Sequence, residues 1–303
     1  MRHDALNYLD LYCTHCRAFD GEVKQHRVML VPEEMFGDYV VTGWLECTHC
    51  GKRYRIIDGV PCFIESFSGD KDLAAQYMDA HYGNINSGYW LEMESIETGG
   101  LCLDVGCSVG RYTFQCARDG FAVGIDVNLE LLNLATAAQR NKKISYTRKT
   151  RALAHAEISS DFSPSDNVLF LLADVLNPPF RMETFDFVSA LNLIDSVSNP
   201  MIALGQIDAM LKPGGRLFLS TPYAWDAGIS TGWLETEELE PHSFVKETLT
   251  GKQVAECGFN YNILTERTGI PWYLRKMDSQ YFLYYVDVIL ADKLQAGNQI
   301  TQL

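Results

Sequence analysis

Leu101-Cys102-Leu103-Asp104-Val105-Gly106-Cys107-Ser108-Val109-Gly110-Arg111 reads as a buried apolar strand that runs into a turn of small residues and then into a helix. Glycines in such a turn let backbone N–H groups approach a ligand that side chains would keep away. About twenty residues on, Gly124-Ile125-Asp126 puts an acid at the end of the next strand, where a carboxylate can accept two ribose hydroxyls. The two motifs together predict a nucleoside-cofactor site. The spacing alone would also serve a nicotinamide or flavin, because the crevice at the C-terminal ends of parallel strands takes many cofactors. A glycine turn can also be purely structural. Asp104 separates these readings, since it stands where a dinucleotide fingerprint has its first glycine, and Ser108 stands where a third often falls. A carboxylate there would repel a pyrophosphate, yet it would organise the loop around an uncharged sugar or a cationic ligand.

These residues resemble the first motif of the class I methyltransferases. The resemblance implies an α/β, Rossmann-like, seven-stranded domain and S-adenosylmethionine, a sulfonium without phosphate, as cofactor. It implies that Asp104, Gly106, Cys107 and Gly110 belong to the cofactor loop, that Asp126 with Val127 meets the ribose, and that Asp174 with Val175 meets adenine. Tyr82 and Asn192 complete the expected cofactor-binding set. A helix-capping role for Asp174 is the plainer alternative.

At 303 residues, with 47% apolar side chains, the chain is long enough for one large domain and a small one. Its net charge of −14 disfavours a broad nucleic-acid surface. No run reaches the roughly eighteen apolar residues of a membrane span, and no signal-peptide core follows Met1-Arg2-His3-Asp4, so a cytoplasmic setting is expected. Nine cysteines in that setting point to thiols or metal rather than disulfides. Cys62, Cys102, Cys107, Cys116 and Cys257 fall in apolar or helical segments.

The remaining four form two knuckles, Cys13-Thr14-His15-Cys16 and Cys47-Thr48-His49-Cys50, separated by thirty residues. Four soft ligands in that arrangement suit a closed, tetrahedral structural zinc site. An iron centre, unmetallated thiols, or substitution of a cysteine by His15 or His49 are the alternatives. With Arg53–Ile57 as a strand and Asp58-Gly59-Val60-Pro61 as a turn, residues 8–67 resemble the Trm112-like zinc ribbons, which occur as methyltransferase partners or fused to the enzyme. The expected organisation is a ribbon over 1–67 and a methyltransferase domain with an N-terminal helical cap over 68–303.

A helix is expected from Asp72 to Gly83, where His81 and Tyr82 offer polar groups or simply cap and pack. Strands are expected at 122–125, 168–174, 185–192 and 216–220, with a helix ending at Leu211-Lys212-Pro213-Gly214-Gly215 and a long closing strand from Tyr281. Arg140, Lys142, Lys143, Arg148, Lys149 and Arg151 form a basic stretch, read as a solvated insertion in preference to an RNA contact. Asn192 to Asp195 should face the transfer centre. Past the fifth strand, Thr221-Pro222-Tyr223-Ala224-Trp225-Asp226 brings two aromatics and an acid to the ligand edge, where Tyr223 and Trp225 would hold a ring. Asp195, Tyr223, Trp225, Asp226 and His81 are the catalytic candidates; Asp195 or Asp226 would orient or accept a proton. Trp233, His242 and Trp272-Tyr273 are possible extensions of the pocket, and Arg275 a possible cation for a substrate carboxylate.

Tyr77 with His81-Tyr82-Gly83, Gly106 to Arg111, Asn192-Leu193-Ile194-Asp195 and Pro222-Tyr223-Ala224-Trp225 together resemble the methyltransferase of ovothiol formation. That family N-methylates the imidazole of a mercaptohistidine. The chain departs from it in lacking the iron-dependent sulfoxide synthase module and in having Glu235-Thr236 where paired glycines are usual. The resemblance implies a small imidazole amino acid as acceptor. Another small metabolite, RNA or protein, and a noncatalytic cofactor-binding partner remain the alternatives.

Overall fold

The computed structural model describes residues 1–19, 23–65, 71–225, 240–251 and 259–295. The expected division between 67 and 68 therefore falls outside the described residues, as do Asp226, Trp233, Glu235, Thr236 and Cys257.

The N-terminal segment holds a two-stranded pair, β1 (Ala18–Phe19) and β2 (Val23–Lys24). A four-stranded antiparallel sheet follows, made of β3 (Val28–Phe36), β4 (Tyr39–Cys47), β5 (Arg53–Ile57) and β6 (Val60–Pro61). Two helices come next, α1 (Lys71–Tyr82) and α2 (Ser87–Met93). The chain then alternates β7 (Gly100–Val105), α3 (Arg111–Cys116), β8 (Gly120–Asp126) and α4 (Leu129–Asn141). A hairpin of β9 (Lys143–Arg151) and β10 (Ala154–Asp161) precedes β11 (Val168–Leu172) and β12 (Phe185–Leu191). The last elements are α5 (Pro200–Met210), β13 (Leu211–Thr221), α6 (Pro241–Leu249), β14 (Tyr261–Met277) and β15 (Gln280–Lys293).

Seven strands make one sheet in the order β11-β8-β7-β12-β13-β15-β14. The first five run parallel and β15 enters antiparallel between β13 and β14. This is an α/β fold with a mostly parallel sheet. The basic stretch beyond Arg140 is a two-stranded excursion: alternate residues Ile144 and Tyr146 are buried while Lys143, Ser145 and Thr147 are exposed. Helix starts are capped where the sequence supplies the acceptor. The Asn128 side chain accepts from Glu130 N and Leu131 N, and that of Asn199, just before Pro200, accepts from Ile202 N. The helix expected to end at 211–215 stops at Met210, and those residues begin β13 instead.

Side chains alternate across the sheet. Leu103, Val105, Leu169, Leu171 and Val123 enter one core; Cys102, Phe170, Ala122 and Phe218 enter the other, under α3 and α4. The first core also contains Leu11, Val40, Leu45, Tyr54 and Ile56, so the N-terminal sheet and the parallel sheet share apolar packing. The reason lies between β11 and β12, where residues 173–184 form no helix and leave a face of the sheet to be covered. The N-terminal segment covers it and also pairs with the sheet edge: Cys62 bridges Leu172 in parallel and Phe63 N donates to Leu172 O at 2.8 Å.

Candidate active site and cysteine cluster

The turn after β7 is built by hydrogen bonds that only a tight backbone can make. Gly106 N and Cys107 N both donate to Ile125 O, at 2.8 and 3.0 Å, and Gly106 takes φ 71°. A Cβ on Gly106 would lie 2.8 Å from Leu193 Cδ1, so this position is confined as well as left-handed. Ser108 is left-handed too, at φ 52°, and its N–H donates to Asp126 Oδ2 at 2.9 Å while Asn128 N donates to Oδ1. The acid at the end of β8 thereby fixes the loop at the end of β7. Burial raises the Asp126 carboxyl above its ordinary range.

A cavity of about 400 Å³ opens at this edge of the sheet. Asp104, Gly106, Cys107 and Ser108 line it from the loop; Asp126, Val127 and Asn128 from the end of β8; Asn192 and Asp195 from beyond β12; Pro222 and Ala224 from beyond β13. Leu73, Tyr77 and His81, spaced four residues apart on α1, present one stripe to it. Tyr89 and Trp90 of α2 and Trp272 of β14 add aromatic walls. A side cavity of about 200 Å³, lined by Asp174 and Val175, shares Gly106, Asp126 and Val127 with the main one.

Asp104 is 2% exposed and accepts from Thr113 Oγ1 at 2.7 Å and Ser189 Oγ at 2.8 Å. Burial lifts its carboxyl to about 6 against these two hydroxyls. Asp195 Oδ2 accepts from Ala224 N at 3.0 Å, and burial raises this carboxyl as well. His81 packs its ring 4.8 Å from Trp90, and burial, with the Arg111 guanidinium second, pulls the imidazole down to about 3. It is a neutral ring at physiological pH. Five buried polar atoms on the cavity wall, His81 Nδ1, Ser108 Oγ, Tyr112 OH, Asp195 Oδ1 and Trp272 Nε1, have no hydrogen-bond partner among the described residues. Each such atom left unpaired costs roughly 1–3 kcal/mol, so the wall is complementary to a polar ligand.

Several expected site residues point elsewhere. Tyr82 lies behind the loop, where its hydroxyl donates to Val109 O at 2.9 Å and its ring meets Phe162; one residue along a helix turns a side chain by about 100° away from the His81 stripe. Tyr77 faces the cavity in its place. Gly110 caps α3 at φ 81°, and its absent side chain makes room for Phe170, 2.6 Å from a built Cβ, rather than for a ligand. The left-handed backbone at Tyr223, φ 53°, sends that ring out of the cavity to His242 Nδ1, 3.1 Å from its hydroxyl. Trp225 follows it, 6.3 Å from Tyr223 and packed on the first core. Neither ring lines the cavity, and Tyr273, His242 and Arg275 do not either. Asp174 forms a turn by accepting from Leu176 N at 2.9 Å, with its carboxylate at the side cavity. Tyr77 belongs to the stretch singled out in the sequence, whereas Tyr89, Trp90 and Tyr112 of the same aromatic wall carry no motif of their own.

In the N-terminal segment, the sulfurs of Cys13, Cys16, Cys47 and Cys50 lie within 4.8 Å of one another. Cys13 Sγ and Cys50 Sγ are 3.8 Å apart, as are Cys16 Sγ and Cys47 Sγ. A tetrahedron with metal–sulfur bonds of about 2.3 Å has edges of about 3.8 Å. His15 and His49 are not in the cluster, and the His49 ring stacks on His26 at 3.9 Å. The residues that flank the first knuckle touch the segment that follows β11: Tyr12 N donates to Pro179 O at 2.9 Å and an Arg17 guanidinium to Pro178 O at 3.3 Å.

Comparison with known proteins gives this site a context. Residues 103–219 match the family model described as a methyltransferase domain. The chain is similar to the ubiquinone biosynthesis O-methyltransferase of Aliivibrio fischeri, 30% identical over 154 residues, which are 50% of this chain and 56% of that protein. It is 27% identical over 160 residues to the O-methyltransferase cnsE of Penicillium expansum, covering 46% of this chain and 51% of that one. The chain thus spans about half the length of the curated relatives it matches. Among solved structures it is similar to a methyltransferase of Methanosarcina mazei, at 20% identity and a TM-score of 0.45, over 68% of this chain and 98% of that one. Another is a complex of the Haloferax volcanii Trm112 methyltransferase activator with a methyltransferase, at 14% identity and a TM-score of 0.47, over 76% and 100%. Residues 103–219, somewhat more than a third of the chain, are thus similar to a methyltransferase domain.

Proposed function

We propose that this protein transfers the methyl group of S-adenosylmethionine to a small acceptor held in the main cavity, and that the acceptor is an imidazole nitrogen of a mercaptohistidine-like amino acid. The observation that carries the small-acceptor reading is the set of five unpaired buried polar atoms around an aromatic cavity continuous with the Gly106 turn. The bound cofactor supplies an activated methyl group on a sulfonium. In this reading Asp126 takes the ribose hydroxyls, the Asp174–Val175 side cavity takes adenine, and the backbone of Gly106 and Cys107 allows close approach. Tyr77, Trp90 and Trp272 enclose the acceptor and exclude water, which raises the worth of each fixed dipole. Asp195 Oδ1 accepts the proton that the acceptor nitrogen releases as its new N–C bond forms, and neutral His81 offers a donor or acceptor without adding charge.

The imidazole assignment rests on the resemblance carried by His81, Asn192 to Asp195 and Pro222 to Trp225. The names of the curated relatives favour a second reading, in which the acceptor atom is an oxygen. The four cysteines are proposed to hold a structural zinc ion in a Trm112-like ribbon, supported by the 3.8 Å sulfur separations. The ribbon would then occupy 1–67 and the enzyme 68–303. Among the described residues no helix is long and apolar enough to cross a membrane.

The test is transfer from labelled S-adenosylmethionine to mercaptohistidine, histidine, a catechol and total RNA by the full chain, with product mass and methyl position determined. Saturable ring N-methylation supports the proposal. Transfer to the catechol replaces it with the oxygen-acceptor reading, and transfer only to RNA overturns the small-molecule assignment.

A further inference from the structure

A second cavity lies on the other side of α1, and its chemistry is opposite to that of the first. While Leu73, Tyr77 and His81 face the main cavity, Gln76 and Asp79 face a groove of about 140 Å³ closed by β9 and β14. Asp79 is 2% exposed and sits between two arginines, with Arg148 Nη1 at 3.7 Å and Arg275 Nε at 3.3 Å. Tyr146 OH donates to the same carboxylate at 3.0 Å. One buried acid thereby draws two guanidinium groups to the same groove by ion pairing, with its Oδ2 left without a hydrogen-bond donor, and guanidinium groups are the side chains that match an oxyanion. Asp278 lies at the outer end, 3.5 Å from Arg148 Nη2 and 3.8 Å from Arg275 Nη1.

Asp72 also lines the groove, so three acids, Asp72, Asp79 and Asp278, stand against four cations, Arg148, Arg275, Lys149 and Lys276. Lys149 of β9 and Lys276 of β14 line the groove together with His155 of β10, and neither lysine side chain has a partner among the described residues. The buried Arg148 Nε has no acceptor. In a chain of net charge −14, that concentration of cations in a concave site is a local inversion of the protein's field. The groove contains no Phe, Tyr or Trp, so it lacks the stacking platform of a single-stranded nucleic-acid site, and its volume suits one phosphoryl group.

We propose that this groove binds the phosphoryl oxyanion of a small molecule, gripped by Arg148 and Arg275 and completed by Lys149 and Lys276. The assignment is independent of the function proposed for the main cavity. A bound oxyanion would tie β9 to β14 across α1, the helix that roofs the main cavity.

The test is calorimetric titration of the full chain with inorganic phosphate, pyrophosphate and AMP at constant ionic strength. A short single-stranded RNA is titrated alongside, and the series is repeated with S-adenosylhomocysteine in excess. Saturable one-to-one binding of at least one phosphate compound is expected, unaffected by the nucleoside. A doubly substituted variant, Lys149→Gln with Lys276→Gln, leaves the Asp79 network intact and should weaken that binding by about tenfold or more, as lost charge-assisted contacts do. Arg148→Lys, which keeps the charge but loses the fork, should weaken it as well. Whether inorganic phosphate or AMP binds more tightly identifies the free ion or a phosphorylated metabolite as the source. Absence of saturable binding, affinity unchanged in both variants, displacement by S-adenosylhomocysteine, or binding of RNA alone would overturn the proposal.

Discussion

The face of the sheet toward the N-terminal segment and the cavity at its C-terminal edge use the same strands for opposite ends. On that face Leu103, Val105, Leu169 and Leu171 share one apolar core with Leu11, Val40, Leu45 and Ile56, and none of the described residues of 1–65 leaves a buried side-chain polar atom without a partner. At the edge, five polar atoms of the cavity wall stay unpaired. Burying a Leu or Ile contributes about 1.5–3 kcal/mol, whereas each unpaired polar atom works against stability. The first region holds the molecule together; the second is kept reactive by the rigidity of the first.

The largest effect expected from breaking this contrast comes from the cysteine cluster. Cys47→Ser should abolish stoichiometric metal content and destabilise the chain by about 3–5 kcal/mol, read by metal analysis and urea unfolding, because structural zinc sites contribute folding energy outright. A variant as stable as the wild type would separate the cluster from the shared core. Next come the two loop glycines, which should divide between the regions. Gly110→Ala places a Cβ 2.6 Å from Phe170 Cζ, and should cost about 2–3 kcal/mol in unfolding experiments. Gly106→Ala meets only the flexible end of Leu193 beyond its own left-handed strain, and should lower cofactor affinity by about tenfold or more with the smaller loss of stability.

Acid titration sharpens the contrast further. Asp104 has a folded-state value of about 6 against an ordinary 3.8, so the native state holds a proton there that the unfolded chain has released. Stability on this account falls as pH rises from about 4 to 6, by an amount on the order of 3 kcal/mol that Asp104→Asn should remove. His81 acts in the reverse sense: its folded value of about 3 lies below the ordinary 6.5, so stability is lost as pH falls from 6.5. His81→Asn should flatten that limb of a pH series of unfolding curves. The smallest effect belongs to an exposed ion pair whose acid keeps its Tyr39 hydroxyl partner when the lysine is removed. Lys142→Ala loses its bond to Asp166, and should change stability by no more than about 0.5 kcal/mol.

Much of this division is legible in the residues. Continuous apolar runs at 101–105 and 168–172 announce strands buried on both faces, and the Gly106 turn announces the ligand edge. β14 is not legible locally, because Gly269 and Pro271 interrupt it and several of its side chains are exposed charges; it lies at the sheet edge, where a missing ladder donor is tolerated. The orientation of Tyr223 depends on one left-handed residue that is not glycine, which no periodicity reveals. The missing helix after β11 is equally silent locally. Its cause is the N-terminal segment that covers the same face, a contact between residues more than a hundred positions apart, as at Phe63 and Leu172.

The measurement that bears most directly on the account is calorimetric titration of S-adenosylmethionine into the wild-type chain and into Asp126→Asn. Saturable one-to-one binding is predicted for the wild type, weakened by about tenfold or more in the variant, which loses the carboxylate that holds the loop and that is proposed to meet the ribose. Absence of binding to the folded wild type, or equal affinity in the two proteins, would contradict the placement of the cofactor at this edge of the sheet.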